Sequence, residues 1–351
     1  MRYKIFGKHT GLRVSELVLG TANFGMAWGG HGATPSEARR IFDTYANAGG
    51  NFIDTANGYQ DGQSEQFVGD LLAGRRETFV LSTKFAVKTD ASSGILVTGN
   101  SRQAMVTSVE ASLKRLKTDR IDLFWAHVDD GVTPMEEIMR GFDDLVRAGK
   151  ILYAGLSNFP AWRVARAATI AELRGVVPIA AIQVEHSLVQ RATEQDLIAA
   201  ANALGLGVVA YSPLGGGVLT GKYRNDKTKN RRDEAWGGAG FQPENTPQRS
   251  AIIDTLIAIA DEAGVSPGEI AVAWVAAKGS LPIIGPRTLA QLESNLAAAE
   301  VALSLEQVAR LDQVSAIPRG YPYTVLDDPR IKDLITGGKF DDIDAPLHAV
   351  A

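Results

Sequence analysis

The sequence predicts an α/β fold, a (β/α)8 TIM barrel preceded by an N-terminal β-hairpin, and three observations carry that prediction. Short apolar runs alternate with amphipathic helical stretches through most of the 351 residues, the pattern of parallel strands joined by helical crossovers. The strand candidates number eight, and eight such units in about 300 residues suit a closed barrel. Residues with acid, base and hydrogen-bonding side chains close one candidate strand after another, at the end where such a barrel gathers its active site. Length alone also admits an open doubly wound sheet.

The elements follow in order. Residues 3–6 and 12–15 flank a turn at 8–11 and form the hairpin assigned to residues 1–16. Barrel strands are expected at 17–19, 51–54, 79–84, 121–127, 153–157, 179–185, 207–212 and 281–285. The first crossover helix carries its own start and stop signals. Thr34 is a cap residue, Pro35 takes the first helical position, Glu37 stands three after the cap, and Gly49 and Gly50 follow the end at Ala48. Segments 161–173 and 193–204 place apolar residues at three- and four-residue spacing, as helices facing a core do. Nothing marks a domain boundary, so residues 1–351 read as a single barrel domain. Two segments depart from the repeat. Residues 223–250, after the seventh strand, are polar and glycine-rich and read as a long loop of the kind that serves as a lid. The tail, 316–351, has too little apolar periodicity for a barrel helix and is expected to wrap the surface or border the pocket.

Composition narrows the setting. With 45% apolar and 22% charged residues the chain can bury a large core. Thirty-six basic against forty acidic side chains leave a net charge of -4, without the basic block that nucleic acid requires. Nucleic acid is therefore not an expected partner. There is no cysteine, which excludes disulfides and cysteine nucleophiles and suits a reducing cytoplasm. The N-terminus lacks an apolar core of signal-peptide length, and no stretch reaches the roughly 20 apolar residues of a membrane span, so a soluble, cytoplasmic protein without a membrane partner is expected. The five histidines are scattered, only His127 having carboxylates close by at Asp129 and Asp130, and no metal site is expected. Oligomeric state is left open.

Four residues at strand ends form one acid-base set: Asp54, Tyr59 five residues beyond it, Lys84 and His127. A free tyrosine titrates near pH ~10 and is a poor acid at neutral pH, but a neighbouring ammonium group favours the phenolate and lowers that value. Lys84 is the candidate cation, with Asp54 keeping it charged and oriented. His127 can donate a hydrogen bond to a substrate oxygen or share the proton load of Tyr59. Taken singly, each residue type has an ordinary structural use at a strand end; four of them at three consecutive strand ends point to proton transfer.

The runs that hold these residues, DTANGY, STK and DLFWAH, resemble the aldo-keto reductase superfamily, and GLSNF, IQVEHS, YSPLGGG and IGPRTLAQLESN follow in the order and spacing of that family. The resemblance extends from Gly20 to Asn295 and implies that Asp54, Tyr59, Lys84 and His127 are the catalytic tetrad, with Tyr59 the general acid. It also implies a nicotinamide dinucleotide. Ser157, Asn158 and Gln183 offer the hydroxyl and amide groups that grip a carboxamide in one orientation, and Tyr211 can stack on the nicotinamide ring. Ser212, Leu214, Gly216 and Lys222 match positions at which relatives contact the pyrophosphate. Gly285, Arg287, Gln291 and Asn295 open the helix after the eighth strand, where backbone amides and a guanidinium suit a phosphate monoester, so NADPH is expected, with its 2′-phosphate on Arg287. One departure stands at Ser294, where relatives often carry an acidic residue before the asparagine.

Two lookalikes carry no weight. Residues 216–223 approach a phosphate loop but place Tyr223 where a serine or threonine must reach magnesium, and 205–210 imitate a dinucleotide fingerprint but lead into a strand. The expected function is NADPH-dependent reduction of a small-molecule aldehyde or ketone, with a cofactor-binding regulatory homologue as the alternative. Trp28 and Trp125 are candidates to line the substrate pocket, the latter because it lies two residues before His127 and so on the same side of the strand; Phe241, Tyr321 and Tyr323 are weaker ones.

Overall fold

The computed structural model of the protein describes residues 1–225 and 243–344. A two-stranded antiparallel hairpin, β1 (Tyr3–Ile5) and β2 (Arg13–Ser15), precedes eight parallel strands. These are β3 (Val18–Gly20), β4 (Phe52–Asp54), β5 (Val80–Phe85), β6 (Ile121–Ala126), β7 (Ile151–Ser157), β8 (Ile179–Glu185), β9 (Gly207–Tyr211) and β10 (Leu281–Ile284). They pair in chain order and β10 returns to β3, closing a barrel. The closed arrangement, not the open sheet, is therefore the one formed.

The sequence explains both faces of the barrel wall. Alternate strand residues such as Val18, Phe52, Leu123, Trp125 and Val209 pack inside the barrel, and the hairpin's Phe6 and Val14 join that cluster. Phe6 meets Phe52 edge-on at 5.5 Å, so the hairpin seals the amino-terminal mouth. Gly7 makes the close approach possible: at φ +74 it leaves only 2.9 Å between a would-be Cβ and the backbone of Ala180 and Gly207. The other strand positions, among them Ile53, Leu81 and Phe124, face the helices in a second apolar layer.

The crossover helices are α1 (Pro35–Asn47), α2 (Gln63–Leu72), α3 (Arg102–Leu116), α4 (Met135–Arg147), α5 (Ala161–Arg174) and α6 (Leu197–Ala203). Thr34 caps α1 by accepting from the Glu37 amide, as the sequence signal implies. The helix expected over 193–204 is shorter, because a 3-10 turn at Ala192–Glu194 precedes α6. After β9 come α7 (Lys222–Asn225), α8 (Pro247–Ala263) and α9 (Pro267–Ala277). Thr246 caps α8, so a helix begins inside the segment read as loop; its stretch 226–242, with Phe241, lies outside the described residues. α10 (Leu289–Ala297) and α11 (Leu305–Val314) follow β10. The tail holds two short helices, α12 (Tyr323–Leu326) and α13 (Pro329–Thr336), whose residues are largely exposed, and Tyr323 hydroxyl bonds to Asp196 at 2.5 Å. It lies on the surface beside α6, and none of its described residues lines the central cavity. Among the described residues no helix is long and apolar enough to cross a membrane.

Candidate active site

The four residues of the acid-base set meet at the open end of the barrel. Asp54 ends β4, Lys84 is the penultimate residue of β5, His127 is the first residue past β6, and Tyr59 opens a 3-10 turn after β4. Lys84 is fully buried. Its ammonium donates to Asp54 Oδ2 at 2.5 Å, to the Thr55 carbonyl at 2.7 Å and to Tyr59 Oη at 3.2 Å. Three acceptors for three N–H bonds satisfy the buried cation. Asp54 Oδ1 accepts from Ser82 Oγ at 2.7 Å and from Gln183 Nε2 at 3.0 Å, so donors hold both of its oxygens. The His127 ring stands 5.9 Å from the Tyr59 ring at 82°.

Electrostatics revises one expectation. Burial raises the Tyr59 phenol above its ordinary value; the attraction of Lys84 offsets only part of that rise, and Asp54 adds to it. The sequence predicts a lowered value from Lys84 alone, but desolvation of the phenolate wins. The phenol keeps its proton through the neutral range. For Lys84, burial opposes the charge while Asp54 and Tyr59 favour it, and the net direction is upward. His127 is pushed down to about 3, by burial first and the charge of Lys84 second, so its imidazole is neutral at neutral pH. Its Nδ1 is buried with no hydrogen-bond partner among the described residues.

A cavity of about 1380 Å³ starts at this set and runs to the loop after β10, and all of the residues expected to hold a cofactor line it. Asn158 and Ser212, the first residues past β7 and β9, have φ of +57 and +54, a left-handed conformation that costs a non-glycine residue about 1–2 kcal/mol. Asn158 is held there: its Nδ2 donates to the His127 carbonyl at 2.9 Å and its Oδ1 accepts from Tyr211 Oη at 2.9 Å. Burial, then the charges of Glu185 and Tyr59, pushes the Tyr211 phenol up to about 12. Beyond Ser212, Gly215, Gly216 and Gly217 turn with φ of +54, +74 and +97, and a Cβ on Gly217 would sit 3.4 Å from Lys222 Nζ.

At the far end three of the amides around the start of α10 are engaged within the fold. Arg287 N donates to Gln291 Oε1 at 2.8 Å, Leu289 N to Glu37 Oε1 at 2.7 Å, and Gln291 N to Thr288 Oγ1 at 3.4 Å. Those three bonds narrow the amides open to an anion there, while Arg287 and Ala290 of the same turn line the cavity. Gln291 likewise serves the loop's own backbone. Ser294, at the position before Asn295, donates through Oγ to Glu269 Oε1 of α9 at 3.4 Å. A dinucleotide fits the set: amides and an aromatic ring beside Tyr59, a glycine turn with Lys222 midway, and Arg287 at the end of one continuous cavity.

Of the two tryptophans, Trp28 lines the cavity, 6.3 Å from the Tyr59 ring at 80°. Trp125 does not. It is fully buried inside the barrel against Gly155, so it packs the floor beneath His127 and has no face for a substrate. Residues that sequence reasoning missed are Ser82, Gln60 and Asp61. Ser82 had a signal, since it precedes Lys84 by two and shares its side of the strand. Among the described residues no cluster of three or more acidic or histidine side chains is set to hold a metal.

Comparison with known proteins places these features in context. The sequence profile described as the aldo/keto reductase family matches residues 16–316. Aldo-keto reductase ausK of Aspergillus calidoustus is 34% identical, over 93% of this chain and 85% of its own. Norsolorinic acid reductase B of Dothistroma septosporum is 34% identical, over 93% and 84%. An aryl-alcohol dehydrogenase (NADP+) of Phanerodontia chrysosporium is 33% identical, over 93% and 89%.

Proposed function

The chain belongs to the aldo/keto reductase family and is an NAD(P)H-dependent oxidoreductase, and from that premise we propose that it reduces aldehydes and ketones, aryl aldehydes foremost, with NADPH as donor and Tyr59 as general acid. The observation that carries this reading is the buried chain Asp54–Lys84–Tyr59, with 2.5 Å and 3.2 Å between its partners.

A bound nicotinamide supplies hydride to the carbonyl carbon. As negative charge grows on the carbonyl oxygen, Tyr59 Oη gives up its proton to it. Lys84 then faces a developing phenolate at hydrogen-bond distance, and a buried ammonium stabilises it more strongly than water would. Neutral His127, with its proton on Nε2, donates to the same oxygen; the tautomer leaves the buried Nδ1 as a bare acceptor, which costs less than an unpaired N–H. Ser157 and Asn158 hold the carboxamide, and Gln183 joins them through the amide atoms not bound to Asp54. Tyr211, steadied by Asn158, gives the nicotinamide a flat support. Ser212, Leu214, Gly216 and Lys222 serve the pyrophosphate, Arg287 the 2′-phosphate, and Gly285, Gln291 and Asn295 the adenosine end. The aryl preference is supported by the indole of Trp28 beside Tyr59 and by the name of the relative just described.

The test is the near-ultraviolet absorbance of NADPH mixed with the protein and a panel of aryl and alkyl aldehydes. Consumption with an aryl aldehyde is expected. No consumption with any member would favour a cofactor-binding regulatory protein.

A further inference from the structure

The two residues after Tyr59 adopt a conformation their side chains disfavour. Gln60 lies at φ 50, ψ 42 and Asp61 at φ 54, ψ 37, and two consecutive left-handed non-glycine residues persist only where the surroundings hold them. Their side chains show what holds them. Gln60 is buried; its Oε1 accepts from the Trp28 amide at 2.9 Å and its Nε2 donates to the Ala22 carbonyl at 3.1 Å. Its Cβ and Cγ fill the space beside Gly25, where a Cβ would come within 2.7 Å. Asp61 Oδ1 accepts from the indole Nε1–H of Trp28 at 3.3 Å. Gln63, one turn on, accepts from the Met26 amide at 2.9 Å. The loop that carries Trp28 is thus fastened at the backbone and at the indole to residues contiguous with Tyr59.

We propose that Gln60 and Asp61 are positioning residues that lock Trp28 at a right angle to Tyr59, and that this clamp sets selectivity for planar aromatic carbonyl substrates. The proposal rests on the reading of Tyr59 as the acid. A substrate oxygen must reach Tyr59 Oη, so the ring attached to its carbonyl carbon extends along the adjoining wall. Trp28 forms that wall at 6.3 Å, and aromatic pairs gain from a fixed offset or edge-to-face arrangement. A rigid indole offers that contact without an ordering cost at binding. A small alkyl aldehyde does not reach it.

The experiment uses Gln60→Gly, Asp61→Ala, Asp61→Asn and Trp28→Phe in the full chain. Gln60→Gly removes the strut while suiting the left-handed backbone, so folding is retained. Acrylamide quenching assigned to Trp28, by difference from Trp28→Phe, is expected to rise in Gln60→Gly and Asp61→Ala. In both, kcat/KM for 4-nitrobenzaldehyde is expected to fall about tenfold through KM, with the value for propanal within about twofold. Asp61→Asn keeps an acceptor for the indole and is expected to keep the wild-type ratio. Unchanged quenching, or equal losses for both aldehydes, would overturn the clamp. If the wild-type protein turns over neither aldehyde while quenching rises and 4-nitrobenzaldehyde binds more weakly to the two variants, the clamp stands and the reading of the reaction fails.

Discussion

At Tyr59 two opposed effects act on one proton. Burial holds it on the phenol, and Lys84 stabilises what remains once it leaves. A group poised in this way gives up its proton when charge appears on the substrate and keeps it otherwise, which suits an acid for reduction. His127 makes the same point from the other sign. With its ordinary pKa of 6.5 pushed down to about 3, the unfolded chain binds the extra proton first, so this residue contributes stability that is present above pH 6.5 and lost as pH falls toward 3. His127→Gln removes that titration. Urea unfolding between about pH 7 and about pH 4.5 is expected to show a shallower loss of stability in the variant than in the wild type; parallel losses would mean that His127 is not held neutral by its surroundings. Lys84 and His127 were legible as strand-end chemistry, whereas Gln60 and Asp61 were not, because a left-handed φ on a non-glycine residue leaves no mark in the sequence.

Among the elements, β7 shows how the floor of the site is built. Gly155 pairs with Trp125 across β6 and β7, and a Cβ there would meet the indole at 2.3 Å and 2.4 Å. Trp125 fills the barrel interior because Gly155 leaves it room. Gly155→Ala is expected to cost about 1–3 kcal/mol by overpacking, read as a lower denaturant midpoint with an unchanged m-value. An unchanged midpoint would show that the interior yields more readily than its packing implies. Strand alternation put Trp125 on the His127 side correctly, yet period two alone does not tell the floor of a barrel from its mouth. Only the depth at which the side chain is covered does so. The short α12 and α13 escaped notice because four and eight residues hold too few repeats to stand out, although Ile331, Leu334 and Ile335 of α13 do share one face.

For the whole molecule, closure separates two tasks. The hairpin and the apolar interior close one mouth, and the left-handed residues past the strands shape the other. Alternating apolar runs made the closed barrel legible, since eight parallel strands with helices outside them need two apolar layers. That Glu37 takes the Leu289 amide was not legible, because its side chain comes from 252 residues away in the chain. The cofactor's effect on global stability tests that end of the cavity. A ligand at a hundredfold its Kd adds about 2.7 kcal/mol, so NADPH is expected to raise the melting temperature more than NADH at equal concentration, and Arg287→Ala to abolish the difference. Equal shifts in the unaltered protein would remove Arg287 from recognition of the 2′-phosphate.

The most direct measurement is the rate of the first turnover by Tyr59→Phe, started by adding aldehyde to the variant already loaded with NADPH. If the phenol is the proton donor, the rate falls by a factor of about 10²–10⁴ while NADPH binds as tightly as before. A variant that oxidises NADPH at the wild-type rate would contradict the account.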